Sequence, residues 1–433
     1  MKESYFEVVV VGAGMFGSAA AKYLSEDVKK VLLIGTDEPL IQNDYRTQTS
    51  FGAYYDQARI TRRLGWDPIW SETDSRSLLR YRSIEEKSGI TFFDEMGSLV
   101  VMAKSITNRT ESILRQCQKK EIVVQRLNLQ QMKDRWPCLK IPPLNGGVDG
   151  LYEDQLAGII NPRKLVQAQR MLFIKNNGAI VKGSVSKVEK DLSSGLWQIN
   201  VWDDGKLNRF YAERVLIAAG SFINHNLVLP DGIQLALYPY TEPNLLFEIQ
   251  DKDLINYENL PTMISVDPDD VGNENVSIYL VPPIKYPDGK WYIRLGPGMQ
   301  PVVRQLKSLE DMRQWYIQQK ITEEQKDFLL KMQQAFLPFL QPVSIKEACC
   351  IIEKTPSHYP YIGAINDDLT LQVVTGGNGH GARGSDEIGR LAARELLEKK
   401  WDLCIEKECF TPKVKNKDAH FEMYAAKPPF GLC

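Results

Sequence analysis

Apolar residues run unbroken from Val8 to Val11 and again from Val31 to Ile34, with a helical stretch of small residues, Ser18–Leu24, between them. Uninterrupted β-branched runs mark strands covered on both faces, so this order predicts strand, helix, strand. The same look returns at Val215–Ile217 and at Leu371–Thr375, where a glycine loop (376–384) leads into an amphipathic helix over Ile388–Leu397. Elsewhere the pattern is mixed. Thr91–Met102 and Gln234–Glu248 predict strands of a mixed sheet, and Ser308–Phe339 predicts helices, one started by the capping sequence Thr322-Glu-Glu-Gln. Periodicity fades from about Lys413, as in a terminal tail packed on the surface or frayed.

The class implied is α/β (α+β): a Rossmann-type domain that binds a dinucleotide, joined to a second domain on a mixed sheet. A chain of 433 residues suits two intimately joined domains. The expected dinucleotide-binding domain is discontinuous, residues 1–85, 150–225 and 340–400. The expected substrate domain takes 86–149 and 226–339, and 401–433 form the tail.

Between the first strand and helix stands Gly12-x-Gly14-Met15-Phe16-Gly17. In that setting three glycines are a dinucleotide fingerprint. Gly12 makes the turn, Gly14 lets backbone amides approach a pyrophosphate, and Gly17 lets the helix lie close on the strand. The helix start then faces the anion. The second strand usually ends in an acid that binds a ribose; Gly35 stands there, followed by Thr36, Asp37 and Glu38. The ribose falls to Asp37, to Glu38, or to backbone and water.

Two further segments separate FAD from NAD. The strand ending Val215–Ile217 runs into Ala218-Ala219-Gly220, the return strand of a domain that holds FAD along one sheet. A nicotinamide dehydrogenase would keep its strands together, without so long an excursion. In the second segment, Gly376, Gly377, Gly379 and Gly381 fall within six positions around His380. They offer amides and a helix dipole to something electron-rich, as a reduced flavin is.

Composition narrows the classes. The formal charge is −2, so no basic field points to nucleic acid or an anionic membrane. Seven cysteines, an odd number without framework spacing, read as reduced thiols. The first residues carry no signal pattern, and the apolar run is too short for a transmembrane helix. The expected location is therefore cytoplasmic, and the glycosylation-like triplets at Asn108 and Asn275 carry little meaning.

The sequence resembles the D-amino-acid-oxidase superfamily of FAD-dependent amine oxidoreductases, and within it the monomeric sarcosine oxidase and pipecolate oxidase branch. The resemblance lies in GAGMFGSA (12–19), AYYDQARITRRL (53–64), GLYEDQLAGIINPRKLV (150–166), VLIAAGSF (215–222), YLVPP (279–283) with WYIRLG (291–296), CIIEKTPSHYPYIG (350–363) and GGNGHGAR (376–383), in the family's order. It implies oxidation of a C–N bond by hydride transfer to FAD, followed by imine hydrolysis. Arg62 and Arg383 match the two cations that clamp a substrate carboxylate, a task suited to the guanidinium fork. Arg59 matches a basic residue beside the flavin, Tyr279 a tyrosine of the substrate pocket, and His380 a residue packed at the flavin. Cys350 matches the cysteine that carries FAD covalently. Cys349 is its neighbour, and in a strand only one of the two points inward.

Departures from the pattern bear on function. The family's oxygen-activating lysine is Arg294 here, Pro297 and Gly298 stand where a pocket histidine is expected, and Tyr55 replaces another histidine. Arginine is not equivalent to lysine at such a site. The expectation is oxidation of a secondary amine or N-methyl amino acid bearing a carboxylate, with O2 as acceptor. Transfer of electrons to another acceptor, or a non-catalytic FAD-binding role, are the alternatives.

Overall fold

A computed structural model describes residues 4–39, 42–65, 67–144, 146–203, 205–225, 228–266, 277–298 and 303–415. Asn275, Cys433 and the tail beyond 415 lie outside the described residues.

The first apolar runs form β1 (Ser4–Val11) and β2 (Val31–Gly35), joined by helix α1 (Met15–Asp27). β1 lies between β2 and the long strand Lys206–Ile217, parallel to both. Beyond β2 the sheet adds Ala179–Lys182; on the other side Leu371–Thr375 runs parallel to the end of Lys206–Ile217. All four valines of Val8–Val11 are at most 3% exposed, because helices cover one face and an antiparallel ribbon the other. α1 packs on the helices Pro162–Lys175 and Ser385–Leu396. This is the expected Rossmann-type layer, with the carboxyl ends of its parallel strands on one edge.

The second layer is an eight-stranded mixed sheet whose edge strand, Ile345–Lys354, pairs along its length with Tyr238–Ile249. The order then passes through Trp291–Pro297, Ile278–Lys285 and Thr262–Val266 to Ser98–Ala103, Val148–Glu153 and Gln125–Leu127. Ile345–Lys354 and Val148–Glu153 thus pair here, although sequence spacing grouped both mostly with the dinucleotide-binding segments. The expected strand Thr91–Met102 is two strands, Phe93–Glu95 and Ser98–Ala103, broken at Gly97, whose φ is +78°. The expected helices are Leu309–Gln318 and Glu323–Phe336, and the capping box at Thr322 is present. The tail is anchored to residue 415: the Lys415 amide donates to Gln234 O at 2.6 Å and the Ala236 amide to Lys413 O at 2.8 Å.

Candidate active site

The carboxyl edge of the first sheet faces the second across a cavity of about 270 Å³. Ligands of open α/β sheets bind at this edge. Three glycine turns meet there. Gly12 has φ +109°, and a Cβ on it would lie 2.2 Å from the Ala218 carbonyl oxygen, so the first turn presses on the second. The Phe16 ring reaches the third: a Cβ on Gly381 would be 2.7 Å from its tip. Glu353 joins second and third, accepting from the amides of Gly376 (2.9 Å) and Gly377 (3.2 Å) and from Ser221 Oγ (2.7 Å).

The cradle suits an anionic dinucleotide. α1 begins at Gly14 without a side-chain cap and without an acid in its first turn, so its first amides are left to an outside acceptor. Among the described residues, Gly14 has nothing within 4 Å of where its Cβ would be. Gly12, Met15, Phe16, Ala219 and Gly220 line the same cavity, as do Gly377, Gly379, His380 and Gly381. Gly17 does not; a Cβ there would strike the Gly12 carbonyl oxygen at 1.8 Å, so it serves close packing. Asp37 also stays out of the lining. Its carboxylate is taken by Arg170 at 3.0 Å and Lys182 at 2.6 Å, and Glu38 is gripped by both arms of Arg163. Gly35 and Thr36 are the residues of that turn that reach the cavity.

Toward the second sheet the lining becomes charged. Arg62 is 1% exposed and Arg383 5%. Arg383 holds Asp74 at 2.5 Å through Nε and meets His380 Nδ1 at 2.8 Å through Nη2; the His380 ring in turn stacks on Trp70. Burial pushes the Asp74 carboxyl up to about 7 against the pull of Arg383 and Arg62. Arg59 and Arg294 both bind Asp56 Oδ2, and both reach the Ala58 carbonyl at 2.9 Å. Burial draws the Arg294 guanidinium down to about 10.

The edge strand turns Cys350 to the cavity and sends Cys349 into the core behind the sheet. Cys350 Sγ lies 3.7 Å from Arg59 Nη2 and 3.8 Å from the Tyr316 hydroxyl. Tyr279, on the strand Ile278–Lys285, donates its hydroxyl to Asn244 Oδ1. Its ring crosses the strand Trp291–Pro297 at Gly296, where a Cβ would be 2.2 Å from the ring carbon. Among the lining residues that escaped sequence reasoning are Glu242, Asn244, Tyr316 and Glu353. The first two had a signal, polar residues two apart within the strand pattern of Gln234–Glu248.

Comparison with known proteins accords with this geometry. The DAO family, described as FAD dependent oxidoreductase, matches residues 7–395. Monomeric sarcosine oxidase from Arthrobacter sp. (strain TE1826) is 23% identical over 271 residues, 60% of this chain and 62% of that protein. Monomeric sarcosine oxidase from Bacillus sp. (strain NS-129) is 21% identical over 395 residues, covering 90% of this chain and 92% of that one. Among solved structures, NikD, an unusual amino acid oxidase essential for nikkomycin biosynthesis, superposes with a TM-score of 0.72 at 17% identity, over 96% of this chain and all of the other.

Proposed function

Because the chain belongs to the DAO family of FAD-dependent oxidoreductases, we propose that it oxidises the C–N bond of a secondary amine or N-methyl amino acid. FAD, when bound, accepts the hydride equivalent from the carbon beside nitrogen, and the imine product is hydrolysed. The observation that carries the reading is that Arg62, Arg383, Cys350 and three glycine turns open onto one cavity. The glycine turns and the start of α1 hold the dinucleotide, and His380, braced on Trp70, packs at its flavin end. Arg62 and Arg383 bind the substrate carboxylate. Tyr279 bounds the pocket, and Arg59 supports negative charge at the flavin. Cys350, turned inward beside Arg59, is the attachment point of a covalent flavin; a nearby cation favours the thiolate that attachment requires.

A second reading concerns the electron acceptor. Arg294 stands where the family's oxygen-activating lysine is expected, and it is held by Asp56. A cation whose charge is offset in this way stabilises little charge on O2, which favours a dehydrogenase passing electrons to another acceptor. Anaerobic mixing with sarcosine and with L-pipecolate tests the main reading: one of them bleaches the yellow holoenzyme, and persistence of colour with both would sink it. Acid precipitation gives a yellow pellet from the wild type and a colourless one from Cys350→Ser. Hydrogen peroxide release measured against dye reduction separates oxidase from dehydrogenase.

A further inference from the structure

Glu242 lies on the cavity side of Tyr238–Ile249, directly opposite Cys350 on the neighbouring strand. It is 5% exposed, and its Oε1 has no hydrogen-bond partner among the described residues. Polar and charged groups from neighbouring elements surround it. The Tyr279 hydroxyl lies beside it with its proton given to Asn244 Oδ1, and Arg59 and Lys354 act on it as charges. Cys350 faces it in register, Asn244 follows on its own strand, and Arg294 across the cavity is occupied by Asp56. None of these fills the place in front of Oε1. A buried acid with a vacant acceptor is costly unless a ligand supplies the missing donor.

Resting on the reading that Arg62 and Arg383 clamp the carboxylate of an amino acid, we propose that Glu242 receives the substrate's nitrogen: Oε1 accepts the hydrogen bond of its N–H and, as a carboxylate, takes the proton of the ammonium. One N–H bond breaks and one Oε1–H bond forms, with no change in oxidation state. The amine is left neutral, and its lone pair is then available to support loss of hydride from the adjacent carbon. A carboxylate clamp at one end and a lone acid at the other define the substrate class as compact amino acids whose nitrogen carries a transferable proton. Burial pushes the Glu242 carboxyl up to about 8, against the pull of Tyr279, Lys354 and Arg59, which suits proton transfer near neutral pH. Below about 8 the neutral acid predominates and takes up no proton, so transfer is favoured as pH rises through that value.

The test uses purified holoenzyme of wild type, Glu242→Gln and Glu242→Asp, with flavin content measured first. Sarcosine, L-pipecolate and the nitrogen-free carboxylate propionate are titrated against the flavin spectrum, and the rate of anaerobic bleaching is followed with pH. The expected result is that Glu242→Gln binds the better amino acid about tenfold or more weakly, while propionate binding is unchanged. Bleaching by the wild type rises with pH through about 8, the variant loses that rise, and Glu242→Asp recovers part of it. Equal effects on propionate and amino acid, or no effect on either, would overturn the proposal. Loss of flavin from Glu242→Gln would assign the residue to the cofactor and overturn it as well. A wild type that binds none of the three ligands would sink the carboxylate clamp, and this inference with it.

Discussion

Arg294 is bound through Nη1 to the carboxylate of Asp56, and the same oxygen is held by Arg59. Two guanidinium groups at the cavity therefore share one fixed negative charge, and Tyr286 adds a hydroxyl to the other oxygen of that acid at 3.0 Å. Asp56→Asn removes the charge and keeps the shape. The cations then face the cavity uncompensated, in a low-dielectric site where charge stabilisation is strong. Reoxidation of the flavin by O2 should quicken by about tenfold, read by stopped flow. An unchanged rate would separate Asp56 from the choice of acceptor.

If Arg383 binds the substrate carboxylate, as proposed, Asp74 competes for it. It is 2% exposed and 2.5 Å from Arg383 Nε. Its carboxyl is pushed up to about 7 by burial, so it is neutral below that pH and charged above it. While it is neutral, Arg383 keeps its whole charge for an incoming carboxylate; once charged, Asp74 offsets that charge. Propionate should bind several-fold more tightly at pH 6 than at pH 8, and Asp74→Asn should bind it with little dependence on pH. A wild-type affinity flat over the same range would remove Asp74 from ligand binding.

Two glycines of the fingerprint differ in what they meet, and so in what their replacement does. Gly12 sits at φ +109° with the Ala218 carbonyl oxygen 2.2 Å from its would-be Cβ. Gly12→Ala should lower folding stability by roughly 2–4 kcal/mol and lose FAD. Gly14 meets nothing within 4 Å among the described residues. Gly14→Ala should cost less than about 1 kcal/mol as a helix cap while still lowering flavin content, because the methyl enters the cradle. Denaturant melts of the flavin-free proteins distinguish the two.

The first sheet was legible because its signals are local. Val8–Val11, Val31–Ile34 and Leu371–Thr375 are apolar runs with a glycine turn or a helix at one end, and each forms the strand that its pattern implies. The second sheet pairs strands from distant parts of the chain, so neither the partnership of Ile345–Lys354 with Tyr238–Ile249 nor the break at Gly97 follows from periodicity alone. The site divides in the same way. Arg62, Arg383 and Cys350 sit in short distinctive motifs, and all three line the cavity. Glu242 and Asp56 take their meaning from neighbours on other strands. Asp37 also takes its partners from distant parts of the chain: its place in sequence suits a ribose, and Arg170 and Lys182 bind its carboxylate.

Asp386 holds together the helices behind the cradle. It is fully buried and accepts from Lys22 Nζ and Arg80 Nε at 2.7 Å, from Tyr23 Oη at 2.9 Å and from Gln169 Nε2 at 2.9 Å. Lys22 and Tyr23 lie in α1, and the other two come from the helices Pro68–Ser88 and Pro162–Lys175. Chiefly through Lys22 and Arg80, its neighbours outweigh burial and hold the carboxyl far below its ordinary range. A depressed carboxyl contributes stability that is full above the unfolded-state value of about 3.9 and is lost as pH falls below it. Asp386→Asn leaves Lys22, itself 4% exposed, without its counter-charge, a change that costs about 3–5 kcal/mol when a buried pair is broken. Urea melts should show that loss at pH 7, and the gap between wild type and variant should narrow as pH is lowered below 4. Equal stability at pH 7 would mean that the remaining hydrogen bonds, rather than the charge, hold these helices in place.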